Sequence, residues 1–319
     1  MRPVLADIVP RDALQEARGR IYDAALRTPL IRLPCRSPCE IWLKLETLQP
    51  VGSFKIRGAR NALATLDPNR WGEGVYTASA GNMALGLAWC ARSRGIPFTA
   101  IVPDKAPAAK LSKLESLGAT ILPVPFDRWW QVLQEHRYDG ARGAFIHPVA
   151  NVAVMAGNGT IGIELLEDLP RVDTVLVPFG GGGLSSGIAS ALRHGGSPAR
   201  VMGCEIETAT PLTAAFEAGR PHQVERTPSF VDGIGGSGVL PEMWPLVRNL
   251  IRGAVVVSLL EARQAIRALI ERVHVVAEGA GAVPVAAALE GKGGGGVVCC
   301  VVSGGNIDAA VVREILADG

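Results

Sequence analysis

The stretch Thr174-Val175-Leu176-Val177-Pro178-Phe179-Gly180-Gly181-Gly182-Gly183-Leu184-Ser185-Ser186-Gly187 runs from a short apolar β-branched segment, through four glycines, into helical spacing. A strand that opens through glycine into a helix lets several backbone N–H groups converge, and the helix N-terminus adds a positive dipole end. The run therefore reads as an anion site suited to a phosphate, with a flexible surface loop as the competing reading. Gly293 to Gly296 shows the contrast, because it precedes a strand pattern, faces no helix start and reads as a turn. The dinucleotide fingerprint fails, since Ser185 and Ser186 stand where its last glycine belongs. The nucleoside-triphosphate loop fails as well, with Ile188-Ala189 replacing its Lys-Ser/Thr. A single phosphate on a smaller cofactor fits better.

Working outward, short apolar runs at 98–102, 121–124, 174–177, 201–204, 254–257 and 297–302 predict strands. Between and around them, residues 82–94, 108–117, 160–169, 184–193, 260–273, 281–289 and 308–316 have helical spacing. Nearly wholly apolar strands alternating with helices predict an α/β fold with parallel-rich sheets flanked by helices. Residues 72–145 are expected to form a small inserted domain. Residues 1–71 and 146–319 then form a discontinuous large domain, with a ligand cleft between the two at the carboxyl ends of the strands.

Composition removes several function classes. Among 319 residues, 32 Lys+Arg against 30 Asp+Glu leave no cationic excess for nucleic acid or an anionic membrane, and aromatics are only 5%. No window approaches roughly 18 consecutive apolar residues, and no export signal stands at the start, so a soluble cytoplasmic protein is expected. Six cysteines are too sparse for a disulfide scaffold and are expected to be reduced. Cys35 and Cys39 lack convergent partners for zinc, and no metal site is expected.

Three further stretches can carry chemistry. Lys55, in Ser53-Phe54-Lys55-Ile56-Arg57-Gly58-Ala59, follows a Pro50-Val51-Gly52 turn between apolar neighbours. A lysine in a dehydrated place keeps its amine neutral and can attack a carbonyl, although a lone lysine in a turn is usually a surface residue. Ser79-Ala80-Gly81-Asn82-Met83 leads into a helix. Ser79 reads as an ordinary N-cap, yet the same exposed amides suit a carboxylate. Ser303, in Ser303-Gly304-Gly305-Asn306, ends the last strand and either points into the cleft or caps a turn.

These four motifs, in this order over nearly all of the chain, resemble the threonine/serine dehydratase and serine racemase group of fold-type II pyridoxal-phosphate enzymes. His147-Pro148, Ala156-Gly157-Asn158-Gly159-Thr160, Asp232-Gly233-Ile234 and Glu278-Gly279-Ala280-Gly281 add to the likeness. The resemblance implies the two-domain, tryptophan synthase β-like architecture, with the small domain closing over substrate. It implies that Lys55 forms the Schiff base with pyridoxal 5'-phosphate, beside a packed Phe54. Gly180, Gly181, Gly182, Gly183 and Leu184 would hold the phosphate, Asn82 the ring hydroxyl and Ser303 the pyridine nitrogen. Ser79, Ala80, Gly81, Asn82 and Met83 would receive the substrate carboxylate. The implied reaction is β-elimination from a β-hydroxy amino acid to a 2-oxo acid and ammonia, with Lys55 as general base and a homodimer as the assembly. Alternatives are β-replacement or racemisation on the same scaffold, or a non-catalytic cofactor-binding protein.

Departures from the family pattern shape the substrate expectation. Met83 replaces the usual histidine, and Ala80 stands where racemases place a second serine, which disfavours racemisation. Glu205 matches one acid of the racemase-type metal site, whereas Pro211 replaces the other. Val149-Ala150-Asn151 and Trp129-Trp130 either shape a pocket for a β-hydroxy amino acid bulkier than serine, such as phenylserine, or pack between domains. The chain ends within about one helix of Ser303, so no C-terminal regulatory domain is expected.

Overall fold

Ten strands sort into two sheets among the described residues, 5–317, of the computed structural model. The strands are β1 (Leu30–Arg32), β2 (Cys39–Leu45), β3 (Val75–Ala78), β4 (Phe98–Pro103), β5 (Thr120–Val124), β6 (Ala144–Phe145), β7 (Thr174–Pro178), β8 (Arg200–Ile206), β9 (Ala254–Val257) and β10 (Gly296–Val302). The first sheet has the order β1-β2-β10-β7-β8-β9, with β1 antiparallel and every other pair parallel. The second, β5-β4-β3-β6, is parallel throughout and is built from residues 75–145.

The α-helices are α1 (Arg11–Ile21), α2 (Lys55–Ala64), α3 (Asn82–Arg92), α4 (Ala108–Ser116), α5 (Phe126–Glu135), α6 (Val152–Asp168), α7 (Gly183–His194), α8 (Pro211–Ala218), α9 (Trp244–Leu250), α10 (Leu259–Val273), α11 (Gly279–Leu289) and α12 (Ala309–Ala317). They cover the parallel strands, which accounts for the full burial of β3 and β7.

Every strand and helix expected from the sequence is present, with ends shifted by a few residues at most except at α6. That helix begins at Val152, eight residues before the periodicity suggests. Gly157 and Gly159 look like breakers but are contact points: a Cβ on Gly157 would meet the Arg57 carbonyl oxygen at 2.4 Å, and one on Gly159 would meet that of Gly187 at 2.8 Å. Absent side chains let α2 and α7 approach α6 at backbone distance. The same closeness fixes α2, and Lys55 stands at its first position rather than in the turn that its neighbours suggested.

One strand of the first sheet departs from the apolar pattern. In β2, Cys-Glu-Ile-Trp-Leu-Lys-Leu carries a lysine into the interior, where Lys44 pairs with the buried Glu164. Glu164 in turn shares Arg57 with Glu46, at 2.5 Å from Arg57 Nη1 to Glu164 Oε1 and 2.8 Å from Arg57 Nε to Glu46 Oε2. All four side chains are at most 1% exposed. This ion cluster ties β2, α2 and α6 together beneath the start of α2. No helix among the described residues is long and apolar enough to cross a membrane. All six cysteines are free.

Candidate active site

Three neighbouring strands deliver three of the motifs to one edge. β2 pairs with β10 in register up to Leu45 opposite Val302, and β10 pairs with β7. Because these strands are parallel, the chain leaves β2 toward Lys55, β10 toward Ser303 and β7 toward the glycines, all at the carboxyl end of the sheet. The exits are then tied together. The Phe54 amide donates to the Ser303 carbonyl at 3.0 Å, Ser53 bridges Gly304, and the Gly305 amide donates to the Gly52 carbonyl at 2.8 Å. From the second sheet, β3 ends at Ala78 and delivers Ser79 to Asn82 to the same place.

Lys55 donates from Nζ to the Pro148 carbonyl at 3.2 Å and lies 5.1 Å from the Phe54 ring centroid. Burial lowers its ammonium pKa to about 8, against the attraction of Glu278, which works to raise it. Phe54 and Ser303 are 9% and 2% exposed. Glu278 is the acid that the sequence offered only as part of a motif. It accepts from Asn82 Nδ2 at 2.8 Å, and burial pushes its carboxyl up to about 7, with the Asn82 hydrogen bond opposing. Asn306, likewise unassigned from sequence, donates to Asn82 Oδ1 at 2.9 Å and to the Val51 carbonyl at 2.8 Å.

The glycine loop shows why no other residue serves there. A Cβ on Gly181 would lie 2.7 Å from the Val149 side chain, one on Gly182 would lie 2.9 Å from Val247 Cγ2, and one on Gly183 would lie 3.1 Å from the Val149 carbonyl. Gly182 also adopts a left-handed φ of +89°. The loop is a backbone cradle, and the first amides of α7 at Gly183 and Leu184 lack intrahelical acceptors by geometry. Such a cradle beside a dehydrated lysine fits pyridoxal phosphate: amides for the phosphate, an amine for the aldehyde and a buried hydroxyl at Ser303.

At the start of α3, Ser79 is not the N-cap. Gly81 holds that position without a side-chain cap, and Ser79 Oγ accepts from the Gly81 amide at 3.2 Å. The first-turn amides are thus left for an anion. The Met83 side chain turns away, 2% exposed in the apolar cluster with Ile56, Ala59 and Leu87, so this position can meet a substrate only through its backbone. Trp129 packs with the second sheet, Trp130 packs with both that cluster and the main core, and Ala150, buried in the main core, also lines a cavity with His136, Phe145, His147 and Asn151. Val149 lies against the glycine cradle.

Glu205 is fully engaged. It accepts from the Leu212 and Thr213 amides at 2.6 and 2.9 Å and from Thr213 Oγ1 at 2.8 Å, closing the start of α8. One trio among the described residues, His136, His147 and Glu242, gathers metal-type ligand atoms within 4.8 Å of one another. The two imidazoles stack at 4.4 Å and 27°, so their in-plane lone pairs cannot meet on one ion. His147 Nδ1 already accepts from the Val149 and Ala150 amides at 3.0 and 2.7 Å, which places its hydrogen on Nε2. Burial, then His136, lowers the His147 pKa to about 3 and keeps it neutral.

Residues 21–304 match the model of a family described as pyridoxal-phosphate dependent enzyme. The L-threonine ammonia-lyase of Thermotoga maritima is 39% identical over 323 residues, covering 98% of this chain and 79% of its own length. The catabolic L-threonine dehydratase TdcB of Staphylococcus aureus is 34% identical, covering 98% and 94%. Among solved structures, processed threonine deaminase isoform 2 from Solanum lycopersicum superposes with a TM-score of 0.86 at 28% identity, covering 97% of this chain and 88% of that one. Maize serine racemase gives 0.83 at 30% identity, covering 98% of each. The matched span takes in Lys55, Asn82, the glycine loop and Ser303, and the chain belongs to the pyridoxal-phosphate dependent enzyme family.

Proposed function

We propose that the protein is an ammonia-lyase that removes the β-hydroxyl and the amino group from a β-hydroxy amino acid such as threonine or serine, yielding a 2-oxo acid and ammonia. The observation that carries this reading is the dehydrated Lys55 amine, held beside a backbone anion cradle where β2, β10 and β7 end together. The names of the relatives, L-threonine ammonia-lyase and L-threonine dehydratase, support it.

Bound pyridoxal phosphate supplies an aldehyde for an amine and a conjugated ring that withdraws an electron pair from the substrate α-carbon. The chain does the rest. Amides of Gly180 to Leu184 would grip the phosphate, Asn82 would hold the ring hydroxyl and Ser303 the ring nitrogen, where a hydroxyl would not enforce protonation as a carboxylate does. Amides from Ser79 to Met83 receive the substrate carboxylate at the uncapped start of α3. The Lys55 amine, neutral in a large share of molecules near pH 8, takes the α-proton. Loss of the β-hydroxyl as water then leaves an enamine that hydrolyses to the 2-oxo acid and ammonia.

Residues 72–145 act as a small domain that closes over the substrate, carrying the Ser79 loop toward the fixed edge of the first sheet. The working protein is a cytoplasmic homodimer. Ala80 offers no proton carrier on the opposite face of the substrate, so elimination outruns racemisation. Purified holoenzyme is tested against threonine, serine and phenylserine for 2-oxo acid and ammonia together, with Lys55→Ala as control. Equal release of both products, lost in Lys55→Ala, is expected. A cofactor-loaded protein that releases neither product from any of the three would refute the assignment.

A further inference from the structure

A carboxamide has two ends of similar shape and opposite hydrogen-bonding sense, so whichever end of Asn82 faces a ligand must be chosen by its surroundings. The choice can be traced from a group that cannot turn over. The Val51 carbonyl only accepts, and Asn306 Nδ2 donates to it at 2.8 Å, which fixes the Asn306 amide. That same nitrogen donates to Asn82 Oδ1 at 2.9 Å, which fixes Asn82 in turn. Asn82 Nδ2 is then the free end, and it donates to Glu278 Oε1 at 2.8 Å with its second hydrogen left over. Turning Asn82 over would set nitrogen against nitrogen at Asn306. Room for the arrangement comes from Gly52, where a Cβ would meet Asn306 Oδ1 at 3.1 Å and where φ is +69°.

We propose that Asn306 is a positioning residue that acts through Asn82, holding its amide so that an N–H rather than an oxygen faces the ring hydroxyl of the cofactor. This rests on the reading of Asn82 as the contact to that hydroxyl. Asn306 also joins the Val51 turn before Lys55 to the start of α3, so a single side chain couples the imine-forming segment to the ring-binding one.

The test is a double-variant cycle on cofactor affinity. Holoenzyme is resolved and reconstituted with pyridoxal phosphate, binding is followed by fluorescence, and the apoproteins are compared by thermal unfolding. Asn306→Asp puts acceptors at both ends of that side chain, which sets a carboxylate oxygen against Asn82 Oδ1 and pulls the Asn82 amide between the new carboxylate and Glu278, and is expected to weaken binding about tenfold, the scale of one hydrogen bond in a closed site. Asn82→Ala should weaken binding similarly. In the Asn82→Ala background, Asn306→Asp should then change affinity several-fold less than in the parent, because the residue it acts through is gone and only its bond to the Val51 carbonyl is left to lose. Full additivity with a weakened Asn82→Ala would overturn the role of Asn306 alone. Unchanged affinity in Asn82→Ala would overturn the assignment of Asn82 and the proposal with it. If Asn306→Asp does not fold, Asn306→Ala in the same cycle gives the same decision.

Discussion

Replacing Arg57 by methionine isolates what holds the start of α2. The guanidinium makes two bonds of 2.8 Å to Glu46 and bonds of 2.5 and 3.1 Å to Glu164, with Thr160 Oγ1 and the Leu26 carbonyl at 3.0 Å each. Arg57→Met leaves two buried carboxylates with Lys44 as their one cationic partner in the cluster. An uncompensated buried charge of this kind costs about 3–5 kcal/mol. For a chain of 319 residues, the usual unfolding entropy converts that cost to about 4–8 °C in Tm.

The pH dependence has a definite sign. In the parent, burial pushes the Glu164 carboxyl up, but Arg57 and then Lys44 prevail and hold it below the usual range. Its contribution is present above the unfolded carboxyl pKa and lost as pH falls. In Arg57→Met, burial prevails and raises a carboxyl above its unfolded value, so the folded chain holds the extra proton and stability declines as pH rises. The gap between parent and variant should therefore be narrower at pH 5 than at pH 8 in denaturant melts. Arg57→Met combined with Glu46→Gln restores neutrality and should recover at least half of the loss. A gap under about 1 kcal/mol, well short of the buried-charge cost, would refute the reasoning, as would equal gaps at both pH values.

Two further outcomes concern the site itself. With a Lys55 pKa of about 8, the reaction of apoprotein with pyridoxal phosphate should speed up about tenfold per pH unit up to pH 8 and then level off. Glu278→Gln, which removes the charge that raises Lys55, should move that plateau to lower pH; a parent rate still climbing at pH 10 would contradict the dehydrated amine. Gly181→Ala sets a Cβ 2.7 Å from Val149 and should weaken cofactor binding by one to two orders of magnitude, as overpacking of about 1–3 kcal/mol implies. Binding titrations of Gly181→Ala with Val149→Ala should show most of that loss recovered, whereas no recovery would mean that the cradle is limited by something other than this contact.

The parallel-rich sheets were legible because β4, β7, β8 and β10 are buried on both faces and read as plain apolar runs. β2 was not, since its Lys44 follows the logic of a buried ion cluster completed by Glu46, Arg57 and the distant Glu164, while its Glu40 pairs with Arg171 nearer the surface. The first half of α6 was hidden because glycine read locally is a breaker, and its value as a contact to α2 and α7 exists only in three dimensions. At the site, glycines and Lys55 announce themselves by neighbours in sequence. Glu278 and Asn306 do not, as their meaning comes from touching Asn82, 196 and 224 residues away. At position 83 a helix start presents adjacent residues to different surroundings, and the Met83 side chain faces the core, which the sequence alone does not show.

β10 lies between β2 and β7, which do not pair with each other and which both precede it in the chain. During synthesis the lysine-bearing loop and the glycine cradle therefore have no common frame until residues 296–302 have been made and inserted. A growing chain should be unable to retain pyridoxal phosphate before that point, and two strand edges stay open to wrong partners. Cofactor capture in this architecture thus reports that translation has passed residue 302.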